Sequence, residues 1–557
     1  MDTTNAASKK ANYSSSDDDN KPSTGGWNAV FFLTFVEMAE RFAFYGLTGN
    51  LITFLTNDLE ETTSAAAKIV NNWVGVSFVF PLLGAFIADS YLGRSKAIIF
   101  SSTIYFLGMI LLTLSVSVIP LHSGKAVIFL ALYIVAIGAA GQKPIVQTFA
   151  VNQFEESSLM AKSSFFNWFY FASIIAHVSA LSIVIYVQDN VGWAIGFSIL
   201  AAAVAVAFAV FLCGMNKYRR QVPFGSPFTS LAQVVVAAAR KWRVDETLHG
   251  RGVCYGDVVA SEYMTFSGTK KFRFLEKAMI IDDIDASRKT RDPWRLCSLN
   301  QVEETKQVLR LTPIWLTCLY NSVALAQLST FFTKQASTMV RSIIIGPHHR
   351  HFIIPPASLQ CITGFTIILM IPIYDRLFVP LVGKFTGKLT GITMLQRLGV
   401  GLFFSVLTML VAALVEAKRV ELASYHNLLD NSEAILPIRV WWLIPQYILC
   451  GVSEAFGIVG LQHFLYDQLP EAKKSLGAVF CICNVGIGNF ISSGIIHVLE
   501  VLRKGKWLGN NFLNRSHLDL FYLLLAVLGF LDLGLFAFVA KRYVYRNAPQ
   551  NYPNTKP

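Results

Sequence analysis

Twelve apolar runs, arranged as six, a charged gap and six, constrain this chain more than any other feature of its sequence. They begin near Asn28, Ile69, Ala97, Ala126, Ser164 and Trp193, and again near Leu311, Ala357, Leu398, Trp441, Ser475 and Leu518. One bilayer crossing needs roughly 20 consecutive apolar residues. The 557 residues are 54% apolar and 15% charged, against about 45–50% and about 25% in ordinary soluble domains. The pattern excludes a cytosolic enzyme and predicts an all-α membrane protein of twelve transmembrane helices in two six-helix halves.

The charge follows the same division. The gap from Asn216 to Thr305 holds 15 Lys/Arg and 11 Asp/Glu in 90 residues, against 56 charged residues in the other 467. Its basic excess places it in the cytoplasm, and an even number of spans puts both termini there too. The net charge of +12 is therefore read as topology and not as a nucleic-acid surface. The expected organisation is a disordered cytoplasmic tail over 1–26, a first half over 27–215, a linker over 216–305, a second half over 306–543 and a cytoplasmic tail over 544–557. The first tail carries Ser14-Ser15-Ser16-Asp17-Asp18-Asp19, a candidate kinase site with no signal-peptide pattern. In the linker, Leu231, Val234, Val235 and Ala238 recur at helical spacing and predict an amphipathic helix, lying on the inner membrane face or on the underside of the protein itself.

Two such halves around a charged linker are the layout of the major facilitator architecture, which binds its solute between the halves. After the second span the chain reads Gly84-Ala-Phe-Ile-Ala-Asp89-Ser-Tyr-Leu-Gly93-Arg94. Small residues let helices approach, while Asp89 and Arg94 are candidates for a conformational gate that bridges two helices in one state and releases them in the other.

An ionisable group at mid-bilayer costs several kcal/mol unless paired or hydrated, so each one marks a functional candidate. Span one carries Glu37, Glu40 and Arg41 inside apolar sequence, with Tyr45 and Thr48 on the same stripe. Glu37 and Arg41 are four residues apart and face each other on a helix. A structural salt bridge needs only two of the three charges. The third leaves a net −1 that calls for a cation or a proton. Lys143 in span four neutralises that cluster, and Glu454 in span ten returns the five-residue sum to −1. Burial penalises a glutamate's charge and a neighbouring base favours it, so tilting the helices to part the two makes a proton switch. Proton coupling is assigned to Glu37, Glu40, Arg41, Lys143 and Glu454, and substrate contact to Arg41, Tyr45, Lys143 and Glu454. The proton gradient supplies the energy and no cofactor is expected.

Weaker polar positions occur singly: His177, His463, His497 and Asp532. A hydrogen-bonded packing role is expected of His177 and His497. Cys481 and Cys483 point to different sides of a helix, and His348-His349-Arg350-His351 reads as solvated charge in an outer loop, so no metal site is expected. No Ser/His pair or Gly-Asp dyad lies within the spans, which argues against a membrane enzyme. Asn514-Arg515-Ser516 is a glycosylation sequon in the outer loop before span twelve.

These residues resemble a family. Glu37-x-x-Glu40-Arg41-Phe42, Phe-Ile-Ala-Asp89-Ser-Tyr-Leu-Gly93-Arg94, Gly-Gln-Lys143, Asn152-Gln153-Phe154, Phe274-Leu275-Glu276-Lys277-Ala278, Trp294-Arg295-Leu296-Cys297, Gln301-Val302-Glu303-Glu304, Ile354-Pro355-Pro356-Ala357-Ser358-Leu359 and Gly451-x-x-Glu454-Ala455-Phe456 are similar to those of the plant nitrate/peptide transporter family, the plant branch of the proton-dependent oligopeptide transporters. The resemblance implies a twelve-helix proton symporter in which the span-one motif and Glu454 handle protons and substrate, with Lys143 as their ion-pair partner. It also implies departures. Thr48 stands where peptide carriers often place a second arginine, Leu325 where a well-studied nitrate carrier type has a histidine, and Ala97 where that type has a phosphorylated threonine.

Charge counting leaves the substrate open. Nitrate or a similar small anion entering with two protons brings the site to neutrality and is favoured. A di- or tripeptide, with its amine at Glu454, and a plant hormone or specialised metabolite are the alternatives. The reading from another class is a nutrient receptor that binds the same ligand without flux. The plasma membrane and the vacuolar membrane are both compatible with the sequence.

Overall fold

The structure is a computed structural model. It describes residues 25–545 except 119–120, 155–158, 220–225, 244–252, 255–258, 261–271, 283–284, 286–291, 346–349, 387–391, 430, 432–433, 471–472, 503–506 and 509–512. The acidic run of the first tail, the tail from 546 onwards and His348 and His349 lie outside the described residues.

In lipid every backbone N–H and C=O must be bonded within its own segment, so apolar runs of this length fold as helices. Eleven helices among the described residues are long and apolar enough to cross a membrane. Gly26–Thr48 is also long enough, at 23 residues, and differs only in carrying Glu37, Glu40 and Arg41. With it as span one, the others follow as Thr63–Leu92, Arg94–Ser117, Gly124–Val151, Trp168–Asn190 and Trp193–Cys213, then Leu299–Leu325, Pro356–Val382, Met394–Tyr425, Val440–Gln468, Lys474–Leu502 and Leu518–Arg542. Span one continues past Gly49 and Asn50 as Leu51–Asn57.

Local chemistry sets the ends and breaks. Thr62 caps span two by accepting from the Ala65 N–H at 3.2 Å. That span ends in a wide turn, Ala88–Leu92, closed by Gly93 at φ 76°, where a side chain would be strained. Span seven is helical from Leu299, because Ser298 and Gln301 form a reciprocal capping box. The charged residues Glu303 and Glu304, read from sequence as linker, are thus in the first turns of a membrane helix. The amphipathic linker helix forms over Pro227–Arg240. Its Val234, Ala237 and Ala238 pack on Leu275, Ala278, Met279, Cys297 and Val302, so its apolar face covers the protein's own underside.

The halves meet chiefly along spans two and eleven. A Cβ on Gly75 would come within 2.6 Å of the Phe490 ring, and one on Gly486 within 2.9 Å of the Gly75 carbonyl. At the end away from the linker, polar contacts cross between the halves: Lys68 and Ser64 reach Glu500. Asn71 Nδ2 donates to Ser492 Oγ at 3.1 Å, Gln360 Nε2 to the Gly49 carbonyl at 3.0 Å and Ser358 Oγ to the Leu181 carbonyl at 2.7 Å. At the linker end, Ala85 meets Val479 and Cys483 beside Phe228 in an apolar cluster.

Candidate functional site

Span one positions three charges on adjacent turns. Arg41 Nε donates to Glu37 Oε1 at 2.8 Å and lies 3.8 Å from Glu40 Oε2. Span four supplies Lys143 because its helix breaks at Gly141-Gln142 and restarts at Lys143-Pro144. Gln142 Nε2 anchors the break on Ser102 Oγ at 2.7 Å, and Gly141 lets the break press on span three, since a Cβ there would meet that of Ser101 at 2.5 Å. The Lys143 ammonium then sits 3.7 Å from Glu40 Oε1, over the Phe44 ring at 3.6 Å and the Phe78 ring at 3.8 Å from their centroids. This is an ion pair in an aromatic sleeve, a setting in which cation–π attraction replaces lost water.

The cluster has a dry back and an accessible front. The side chains of Glu40 and Lys143 are each 1% exposed and that of Glu37 3%, whereas Arg41 is 25% exposed. Arg41 shares the front with Tyr45, whose ring stacks on His177 of span five at 3.5 Å between centroids and 13° between planes. Tyr45 lies beside Arg41 and within electrostatic reach of Glu454, as does Tyr170 two turns before His177. Glu454, contributed by the other half, has no hydrogen-bond or ion-pair partner among the described residues. Lys143 therefore faces Glu40 in this state, while Arg41, Tyr45, His177 and Glu454 are partly exposed and Tyr170 is exposed. Thr48 turns away, its hydroxyl donating to the Phe44 carbonyl of its own helix.

The neighbour of Glu454 is tied down. Ser453 Oγ donates to Asn321 Oδ1 at 2.6 Å and Ser405 Oγ to the same oxygen at 3.0 Å, joining spans seven, nine and ten. At the linker end Arg94 Nε donates to Asp89 Oδ1 at 3.2 Å, with Pro144, Thr148, Phe228, Ser475 and Val479 around them.

Comparison with known proteins places this arrangement. The POT family profile matches residues 95–508, and the Arabidopsis thaliana protein NRT1/ PTR FAMILY 5.4 is 48% identical over 541 residues, covering 95% of this chain and 96% of that protein. The chain belongs to the POT family. NRT1/ PTR FAMILY 5.10 of the same plant is 43% identical over 550 residues, 94% of each chain. Among solved structures, an auto-inhibited POT family peptide transporter superposes with a TM-score of 0.69 at 20% identity, over 94% of this chain and 98% of that one. The POT family transporter PepTSo gives 0.67 at 20% identity, over 92% and 98%. These likenesses carry the fold. As a POT family member the chain is a multi-pass membrane transporter of small molecules and not an enzyme.

Some assignments shift within the POT fold. His463 is not solitary: it lies inside span ten and its Nδ1 is 3.2 Å from Arg397 Nη1. His177 packs by stacking on Tyr45, where sequence pointed to a hydrogen bond. The sequon does not offer a glycan site, because Asn514 is 4% exposed. Its Oδ1 accepts from Arg419 at 2.6 Å and its Nδ2 donates to the Leu428 carbonyl at 3.0 Å. Arg419 belongs to a buried pair that sequence reading missed, bidentate with Glu416 at 2.8 and 2.6 Å and with both side chains 0% exposed. Its signal was legible as two opposite charges three residues apart in the apolar run of span nine. Asp532 Oδ2 is buried with no hydrogen-bond partner among the described residues.

Proposed function

We propose that the chain is a proton-coupled symporter working by alternating access, with a small anion such as nitrate as the first substrate reading. The observation that carries it is the division of the buried charges. Glu40 and Lys143 form a pair sealed from solvent, while Glu454 stands unpaired across the accessible face. A sealed carboxylate–ammonium pair at mid-membrane is stable only while it stays together or takes a proton. Parting the pair when the helices tilt therefore couples proton uptake to the change of state. With Glu37, Glu40 and Glu454 against Arg41 and Lys143, a univalent anion accompanied by two protons leaves the site neutral.

The unpaired Glu454 also favours a second reading, in which the ammonium of a zwitterionic di- or tripeptide seats on it and the peptide carboxylate reaches Arg41. Current and uptake in a heterologous cell, run across nitrate, dipeptides and plant hormones at acid and neutral external pH, separate the two. Acid-stimulated inward current with nitrate supports the first reading, and acid-stimulated uptake of dipeptide alone supports the second. Flux that ignores pH for every solute overturns the coupling. The chain acts in this reading at the plasma or vacuolar membrane.

A further inference from the structure

The accessible face carries an unspent polar ring. His177 lies flat on Tyr45, 3.5 Å between centroids and 13° between planes, so its nitrogens point along the edge of the stack and away from the contact. Neither nitrogen has a hydrogen-bond partner among the described residues. The other polar side chains of span five behave differently. Ser173 Oγ donates to the Phe169 carbonyl at 2.9 Å and Ser182 Oγ to the Val178 carbonyl at 2.8 Å, spending their hydroxyls on their own helix. A polar ring at membrane depth without a partner is costly unless something outside the chain bonds it.

What it would bond follows from its neighbours. Arg41 acts electrostatically on both Tyr45 and His177, and its side chain is 25% exposed. A guanidinium, a phenol and the edge of an imidazole form a set of donors. The stack fixes the imidazole plane in advance, which lowers the ordering cost of binding. The guanidinium's flat fork matches flat, two-oxygen acceptors in particular.

We propose that His177 is a substrate-selecting residue, whose imidazole N–H joins Arg41 and the Tyr45 hydroxyl in receiving a planar trigonal oxyanion group, either nitrate or the carboxylate of an organic solute. The inference rests on the carrier reading only in placing the solute at this face. Glu454, opposite, stays free for a proton or an amine.

The test is thermal stabilisation of the purified full-length protein by nitrate, acetate or chloride, for wild type, His177→Phe and His177→Asn. Phenylalanine keeps the stack and removes the donors, while asparagine keeps an N–H donor and loses the ring. The expected result is that nitrate or acetate stabilises wild type more than chloride does. His177→Phe, with an unliganded melting temperature equal to or above that of wild type, loses about tenfold or more in affinity for the planar anion. His177→Asn recovers part of it. Whether nitrate or acetate is the stronger stabiliser tells inorganic anion from carboxylate. Equal affinity in His177→Phe and wild type overturns the proposal, as does stabilisation by chloride equal to that by the planar anions, or by none of the three. Uptake into proteoliposomes separates the two readings. Absence of gradient-driven flux alongside these binding differences removes the symport reading and leaves the role of His177 standing.

Discussion

Lys143 holds its ammonium 3.7 Å from Glu40 with both side chains 1% exposed, and the Phe44 and Phe78 rings close over it. Removing one member of such a pair strands the other, which typically costs about 3–5 kcal/mol, whereas removing both costs far less. Lys143→Met is expected to lower stability by less than that, about 1–3 kcal/mol, because Glu40 Oε2 keeps Arg41 Nε at 3.8 Å. Lys143→Met and Glu40→Gln together are expected to cost less than the sum of the two single changes by about 2 kcal/mol, the coupling energy of a double-mutant cycle on unfolding. Additive effects would mean that the two residues do not act as a pair.

The far-end contacts hold the halves together in this state, with Lys68 and Ser64 of span two gripping Glu500 of span eleven. In a background with the eight native cysteines replaced, Lys68→Cys with Glu500→Cys is expected to cross-link under oxidation. Transport should fall at least about tenfold and return on reduction, since each barrier increment of about 1.4 kcal/mol is a factor of ten. Full transport by the cross-linked protein would show that this end does not open.

Asn514 belongs to a buried network with Arg419 and Glu416 at the far end of span nine. Expression in a glycosylating host should give protein whose gel mobility is unchanged by Asn514→Gln and by glycosidase. Arg419→Met should destabilise by about 3–5 kcal/mol, because it leaves Glu416 buried and alone.

Much of this was legible in the sequence, and the exceptions share a cause. Apolar run length found every span, because a helix is the only economical backbone in lipid, and the four-residue spacing of Glu37 and Arg41 put them in contact. Lys143 was legible as a charge inside an apolar run. Its aromatic sleeve was not, because Phe44 and Phe78 are two phenylalanines among 43 and carry no mark of what they pack against. Tyr170 and His177, seven residues apart, share a face of span five, but only the bundle determines that this face meets Tyr45. The sequon misled for the same reason: a motif states chemistry, and burial of Asn514 is a tertiary fact. The linker boundary slipped to Thr305 because the capped first turns of span seven lie beyond the apolar run and are therefore charged.

The linker is latched by charge. Burial pushes the Asp285 carboxyl up, and the Lys241 ammonium 2.5 Å away with the Arg295 guanidinium at 3.2 Å more than reverses this, holding it below the usual aspartate range. A carboxyl whose folded value is depressed contributes stability that is present above its unfolded value and lost as pH falls through the folded one. The latch should hold at neutral pH and release only below the ordinary aspartate range. Limited proteolysis across pH checks this: Asp285→Asn should open the linker to protease at neutral pH, and wild type only in acid. Equal protection of the two proteins would show that the pair does not secure the linker.

In the proposed symport, parting Glu40 from Lys143 is the step that links protons to transport. Its most direct measurement is solute uptake into proteoliposomes with and without an imposed pH gradient, together with solute exchange at equal pH, for wild type and Glu40→Gln. Wild type should concentrate its solute only with the gradient, and Glu40→Gln should keep exchange while losing gradient-driven accumulation by about tenfold or more, the scale of one general proton-transfer group or larger. Accumulation by Glu40→Gln with the gradient dependence of wild type would contradict the account.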